Sequence, residues 1–283
     1  MAFVEEMDAL KMGEQTGVEH TTQTDHSHAC GHDGNCAILM ATIEVLVKQI
    51  SKIPKNKKIR CLFQPGGESL DGAKMMIADG AMEGVDEVYE IHSIPMGPEH
   101  TVATKPDFIM AGSVDFRIEA TGLGGHCSEP SGSVDPITAL ANIHVALHSI
   151  RSMHLGSREY ATIAVGQFHA GTSIQVIPQS GFMEGKINYF STDVREKIKA
   201  RVKQLAELHG QSYGVEVSVQ FKDLCPPLVN SPVQTEAFIQ NMKSTIGEEN
   251  VFTSGGMPLY ASSDFSEYIA AGTPGVWIFL NSV

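Results

Sequence analysis

Residues 25–35 read DHSHACGHDGN, which puts His26, His28, His32 and Cys30 within eleven positions beside Asp25 and Asp33. A thiolate and several imidazoles this close together are a donor set for a borderline-soft divalent cation. Cys30 and His32 stand two apart, so on an extended segment both side chains would leave one face and reach the same ion. Gly31 and Gly34 would let the backbone bend towards it. The competing reading is a histidine-rich surface loop with one buried cysteine. Two further polar groups stand at the ends of apolar runs: Glu68, just past the turn Pro65-Gly66-Gly67, and His92, which follows VDEVYEI.

The elements that must position these residues can be read from periodicity. Ile38, Leu39, Ile43, Leu46, Val47 and Ile50 recur at helical spacing and predict a helix over 34–50, so the cluster lies on the segment that feeds it. Residues 2–7 read as a short strand at the start of the chain. Residues 58–64 (KIRCLFQ) read as a buried strand ended by a turn, 72–78 as a helix closed by Gly80, and 85–91 as a strand delivering His92. Strand, helix and strand in alternation imply an α/β sheet, where sites gather at the carboxyl ends of strands.

From about residue 111 the pattern changes. Val114, Phe116 and Ile118 alternate with polar residues, giving a strand with one wet face. Asp135-Pro136 reads as a helix N-cap with proline at the first position, followed by Ile137, Leu140, His144, Leu147 and Ile150. Strands over 161–168 and 181–190 follow. A capping box at 193–196 then opens a helix striped by Val194, Ile198, Val202, Leu205 and Leu208. Val215, Val217, Val219 and Phe221 close the series as a strand. The order β-α-β-β-α-β is the ferredoxin-like arrangement. After Cys225-Pro226-Pro227, a helix over 232–246, a capped helix start at Asp264 and a strand over 275–280 return to the first pattern. The expected organisation is an α/β sheet domain over 1–112 and 226–283, interrupted by a ferredoxin-like domain over 113–225.

The chain has 283 residues, 42% of them hydrophobic and 19% charged, which is enough for a substantial core and is the balance of an ordinary soluble protein. A net charge of -13 argues against nucleic acid or an anionic membrane as partner. Five cysteines (30, 36, 61, 127, 225) are odd in number and scattered, which suits a reducing compartment; Cys36 and Cys61 read as buried small hydrophobes. No apolar run approaches the roughly 18 residues of a spanning helix, and the acidic start is unlike a secretory signal. A cytoplasmic location is the default expectation.

Six strings carry a specific resemblance: HACGHDGN (28–35), FQPGGESLDGAK (63–74), EIHSIPMGP (90–98), GLGGHCSEPSGSVDPI (122–137), AGTSIQVIP (170–178) and SSDFSEY (262–268). In order and spacing they resemble the M20 metallopeptidase family, within it the amidohydrolase branch acting on N-acyl amino acids, hippurate and indole-acetyl amino acids. The resemblance implies two divalent metals, Mn²⁺ or Zn²⁺, held here by Cys30, His32, Glu68 and His92. It also implies a homodimer through the 113–225 domain, in which His126 reaches a small-molecule N-acyl amino acid substrate.

The chain also departs from that pattern. Gly67 stands where the family has the glutamate that acts as general base; Glu68 could substitute as the base only by leaving the metal one ligand short, so one vacancy remains either way. Gln175 replaces an Asn, Asn188 an Arg that binds a substrate carboxylate, Ser263 a Glu and Asn35 a His. Relative to the family pattern the sequence starts after an N-terminal helix and strand and stops before a last ligand histidine. These departures set up a second expectation, a catalytically inactive relative that binds a small molecule or dimerises.

Overall fold

The computed structural model describes residues 1–282. The chain opens with β1 (Ala2–Glu6), α1 (His32–Lys48), β2 (Arg60–Gln64), α2 (Gly72–Ala78), β3 (Val88–Ile94), β4 (Val102–Ala103) and β5 (Asp107–Met110). It continues through β6 (Gly112–Thr121), β7 (Gly125–His126), α3 (Pro136–Met153), β8 (Ala161–Ala170), β9 (Val176–Ile177), β10 (Ser180–Tyr189), α4 (Thr192–Ser212) and β11 (Glu216–Cys225). It ends with β12 (Leu228–Asn230), α5 (Pro232–Ile246), β13 (Val251–Phe252), α6 (Phe265–Ala270) and β14 (Gly275–Asn281). Two compact units result, one of Met1–Met110, Leu228–Leu259 and Ser263–Val283, the other of Ala111–Pro227 with Tyr260–Ser262.

The first unit is built on a six-stranded sheet in the order β13-β4-β14-β3-β1-β2. Its pairs are parallel except β14 with β4. Buried parallel strands read as continuous apolar runs, and VWIF in β14 is one. Trp277 and Phe279 pack on one face with Phe265 and Tyr268 of α6 and Ala73 of α2. Val276 and Ile278 pack on the other with Ile239 of α5. Asn230 ties β14 down from within: its Nδ2 donates to the Trp277 carbonyl (3.0 Å) and its Oδ1 accepts from the Trp277 amide (2.8 Å).

The second unit has an antiparallel sheet in the order β11-β6-β10-β8. The alternation of β6 puts Val114, Phe116, Ile118 and Ala120 into one core with Leu140, Ile143 and Leu147 of α3 and Val194, Ile198 and Val202 of α4. Asp135 caps α3 as its sequence predicts, accepting from the amides of Ile137 (2.9 Å) and Thr138 (3.3 Å).

Several elements differ from expectation for identifiable reasons. α1 begins at His32 rather than residue 34, and its buried residues are His32, Asn35 and Leu39, so its inward stripe is partly polar. Val47 and Ile50, assigned above to the apolar stripe, are exposed. Leu208 of α4 is exposed too, and α4 starts after Ser191 with no side-chain cap, so no capping box forms. Cys36 and Cys61 are only half-buried. Asp264 precedes α6 without capping it; its carboxylate instead accepts from the Ala73 amide in the first turn of α2 (2.8 Å). A cap supplied across the fold cannot be read from local sequence.

Candidate metal centre

β3, β1 and β2 are neighbours with a common direction, so their carboxyl ends bring Glu6 and Asp8, the loop bearing Glu68, and His92 to one end of the sheet. The amino end of α1 adds His32, and the turn before it adds Cys30. That turn is not extended. Gly31 sits at φ 94°, a left-handed conformation open to glycine at little cost, and a Cβ there would meet Ser93 Oγ at 2.5 Å. Cys30 and His32 therefore converge through a turn into a helix, not by leaving one face of a strand.

The three donor atoms of Cys30, His32 and His92 lie within 4.8 Å of one another. Cys30 Sγ is 3.6 Å from His92 Nε2, and the two imidazoles meet edge to face with centroids 5.4 Å apart. Each imidazole is held by its other nitrogen. His92 Nδ1 donates to the Ser93 carbonyl (2.8 Å) and the ring stacks on Trp277 at 5.5 Å. His32 Nδ1 donates to the Asp8 carbonyl (3.0 Å), with Asp8 Oδ1 at 3.2 Å. Fixing Nδ1 in this way presents Nε2 as the ligating atom, a recurring support for metal-bound histidine. His32 is 1% exposed, and its Nε2 lacks a hydrogen-bond partner although Glu6 Oε2 is 2.9 Å away, since the contact lies off hydrogen-bond geometry. A buried nitrogen left in this state beside a thiol and a second imidazole suits a divalent cation.

The electrostatics point the same way. The imidazoles of His32 first and His92 second, set beside the sulfur, hold the Cys30 thiol below its ordinary pKa. Burial opposes charge on His32, but Cys30 and Glu6 outweigh it and push the imidazolium up to about 11. His92 is likewise raised against its burial by Cys30 and Ser93. A cation entering the cluster would displace the imidazole protons and take over their pairing with the sulfur.

Glu68 lies at the rim. Its Oε1 is 3.8 Å from His32 Nε2, and its amide donates to Asp8 Oδ2 (3.0 Å). His26 and His28 are exposed and outside the cluster, His26 pairing with Asp25 at 2.9 Å. In the second unit, His126 and Gln175 come together: His126 pairs with Val176 across β7 and β9, and the Cys127 amide donates to the Gln175 carbonyl (3.0 Å). His126 Nδ1 is 2.8 Å from Ser128 Oγ, and both His126 and Gln175 are exposed. Asn188 on β10 is engaged elsewhere, its Nδ2 donating to the Tyr260 carbonyl at 2.5 Å.

Sequence reading missed the acids beneath the site. Glu5, Glu6, Glu90 and Asp264 are all at most 5% exposed. The signal was present, because adjacent glutamates in the strand AFVEE break an otherwise apolar run. Burial above all, aided by the Glu6 charge and opposed by the Ile91 amide, pushes Glu5 up to about 9. Burial followed by Glu6, Glu5 and Asp264 raises Glu90 well above its ordinary value. A folded-state pKa above the unfolded one means that the native state keeps a proton the unfolded chain has lost. Stability of the chelator-treated protein is therefore expected to fall as pH rises from about 4.5 to about 9, and Glu5→Gln to flatten that slope, as denaturant midpoints at pH 5, 7 and 9 will read.

A thiol, a buried imidazole and a half-buried imidazole thus meet at one end of a largely parallel sheet. The model of Peptidase family M20/M25/M40 matches residues 2–282, and the chain belongs to that family, whose members include hydrolases of amide bonds. It is 33% identical to Thermostable carboxypeptidase 1 of Saccharolobus solfataricus over 288 residues, covering all of this chain and 71% of that one. It is 29% identical to N-acetyl-L-cysteine deacetylase of Bacillus subtilis, covering all of this chain and 66% of that one. The solved structure of a protein from methicillin resistant Staphylococcus aureus matches with a TM-score of 0.86 at 27% identity, over all of this chain and 73% of its own.

Proposed function

We propose that the chain is a divalent-cation-dependent amidohydrolase that cleaves N-acyl amino acids or similar small amides. The observation that carries this reading is the convergence of Cys30, His32 and His92 donor atoms within 4.8 Å, each imidazole fixed through Nδ1. Cys30, His32, Glu68 and His92 would hold the metal, two Mn²⁺ or Zn²⁺ ions in the full reading. Bound cations would lower the pKa of a water and polarise the scissile carbonyl. Asp8 and Ser93 keep the imidazoles oriented, while Trp277 closes one side of His92 against water.

Within this reading, residues 1–112 and 226–283 form the catalytic domain. Residues 113–225 form a ferredoxin-like dimerisation domain, supported by the β11-β6-β10-β8 strand order with both helices on one face. His126, Gln175 and Asn188 are its substrate-side residues. The N-acyl amino acid class is supported by the deacetylase relative and by the six motifs.

The test is hydrolysis of a panel of N-acyl amino acids with Mn²⁺ or Zn²⁺. Turnover is expected, lost with chelator and restored by cation. One observation favours a second reading: Gly67 offers no side chain where the family pattern has its base. A folded, cation-loaded protein with no turnover on any member of the panel would select that reading, a binding or dimerising relative.

A further inference from the structure

Position 67 has no side chain, yet the space above it is filled. A Cβ built on Gly67 would overlap Cδ and Oε1 of Glu6 and lie 2.8 Å from its Cγ. The head group of Glu6, from the last residue of β1, thus rests directly on the Gly67 backbone. The residue is 5% exposed, and its Oε2 lies 2.9 Å from His32 Nε2, the buried nitrogen with no hydrogen-bond partner. Any side chain larger than hydrogen at position 67 would evict it.

Neighbouring groups hold this arrangement. The Glu6 carbonyl accepts from Cys36 Sγ (3.2 Å), and β1 pairs Glu6 with Gln64 of β2. These contacts fix the backbone from which the side chain projects, so the carboxylate reaches the cluster from the sheet rather than from the loop. Burying a carboxylate is costly unless a partner compensates it. The group facing it is His32 Nε2, at 2.9 Å but off hydrogen-bond geometry, the atom that the Nδ1 contact of that ring leaves free for a cation.

We propose that Glu6 is a carboxylate ligand of the cation held by Cys30, His32 and His92, and that Gly67 is the residue that makes room for it. This inference rests on the metal-site reading above. It places beside the cation the negative charge that position 67 does not provide. It also assigns Gly67 a positive function: the glycine and the long acidic side chain of residue 6 are complementary halves of one site.

The test reads cation binding, independently of turnover. Co²⁺ and Zn²⁺ are titrated into the purified, chelator-stripped protein by calorimetry, with the Co²⁺ ligand-field spectrum recorded and a thermal melt run on each variant. The near-isosteric Glu6→Gln is expected to weaken binding by about tenfold or more and to change the Co²⁺ spectrum while the protein still melts cooperatively. Gly67→Ala, which leaves Glu6 in the sequence but displaces its head group, is expected to weaken binding as well. The exchange Glu6→Gly with Gly67→Glu is expected to recover part of the affinity. A Glu6→Gln protein that binds as tightly as the parent with an unchanged Co²⁺ spectrum would overturn the inference and leave the metal site standing. A folded parent that binds neither ion would overturn the metal-site reading, and this inference with it.

Discussion

His32→Ala is expected to abolish measurable binding of Zn²⁺ and Mn²⁺ at micromolar concentrations and to reduce hydrolysis by more than about a hundredfold. Losing an outer partner of a metal-bound histidine typically costs about 10- to 100-fold in affinity or activity, and losing the ligand itself should cost more. The position allows no substitute: the ring is 1% exposed, edge-on to His92 and fixed by Asp8. Removing it also sets Glu6 and Asp8 facing a void without the positive charge between them. Calorimetric titration beside the hydrolytic assay checks both effects, with a melt to show that the variant folds. Unchanged affinity would refute the assignment of His32.

Asp264→Ala is expected to destabilise the protein by about 3–5 kcal/mol, read from urea or thermal unfolding, without direct contact with the metal cluster. Asp264 is fully buried and accepts from Gln64 Nε2 and from the Ala73 amide, both at 2.8 Å. Leaving a buried donor unsatisfied costs about 1–3 kcal/mol, and here there are two, besides the cavity. The loss spreads because Gln64 Oε1 accepts from Tyr268 OH at 2.6 Å, linking the ends of β2, α2 and α6. Burial first, with Glu6 adding to it, raises Asp264 to about 7, so part of the carboxylate's value is already offset by desolvation. Because the native state keeps a proton that the unfolded chain has lost, the contribution of Asp264 falls as pH rises from about 3.8 to about 7, and the penalty should accordingly be smallest above pH 7. Because α2 follows the loop that carries Glu68, cation affinity should also weaken in the variant, by less than in His32→Ala.

The elements that sequence located well are those whose apolar period matches their burial. In β6 the alternating Val114, Phe116 and Ile118 are all buried, and in α3 Leu140, Leu147 and Ile150 are buried behind a working Asp135 cap. In α1 the period misled, because the inward face near its start is made of His32 and Asn35, and Val45 and Val47 of its last turns face solvent. Hydrophobicity predicts burial only where burial serves packing, and there it serves a polar site. The ends of α4 shifted for a related reason, since no side chain caps its first turn and Leu208 is not needed by the core.

The amino-acid sequence by itself determined the family and the order of strands and helices, because motifs, residue type and short-range spacing are sufficient for these, and it pointed to Cys30, His32 and His92 as candidate donors. Only the tertiary structure decided how the donors meet. Cys30 and His32 converge through the left-handed turn at Gly31, and His92 arrives from the strand next to β1. It also decided that Asp264 caps a helix 191 positions away in sequence and that Glu6 occupies the volume over Gly67. These are contacts between segments brought together by parallel strand pairing. The register of such pairing is fixed by burial across the whole sheet, so no local stretch of sequence encodes it.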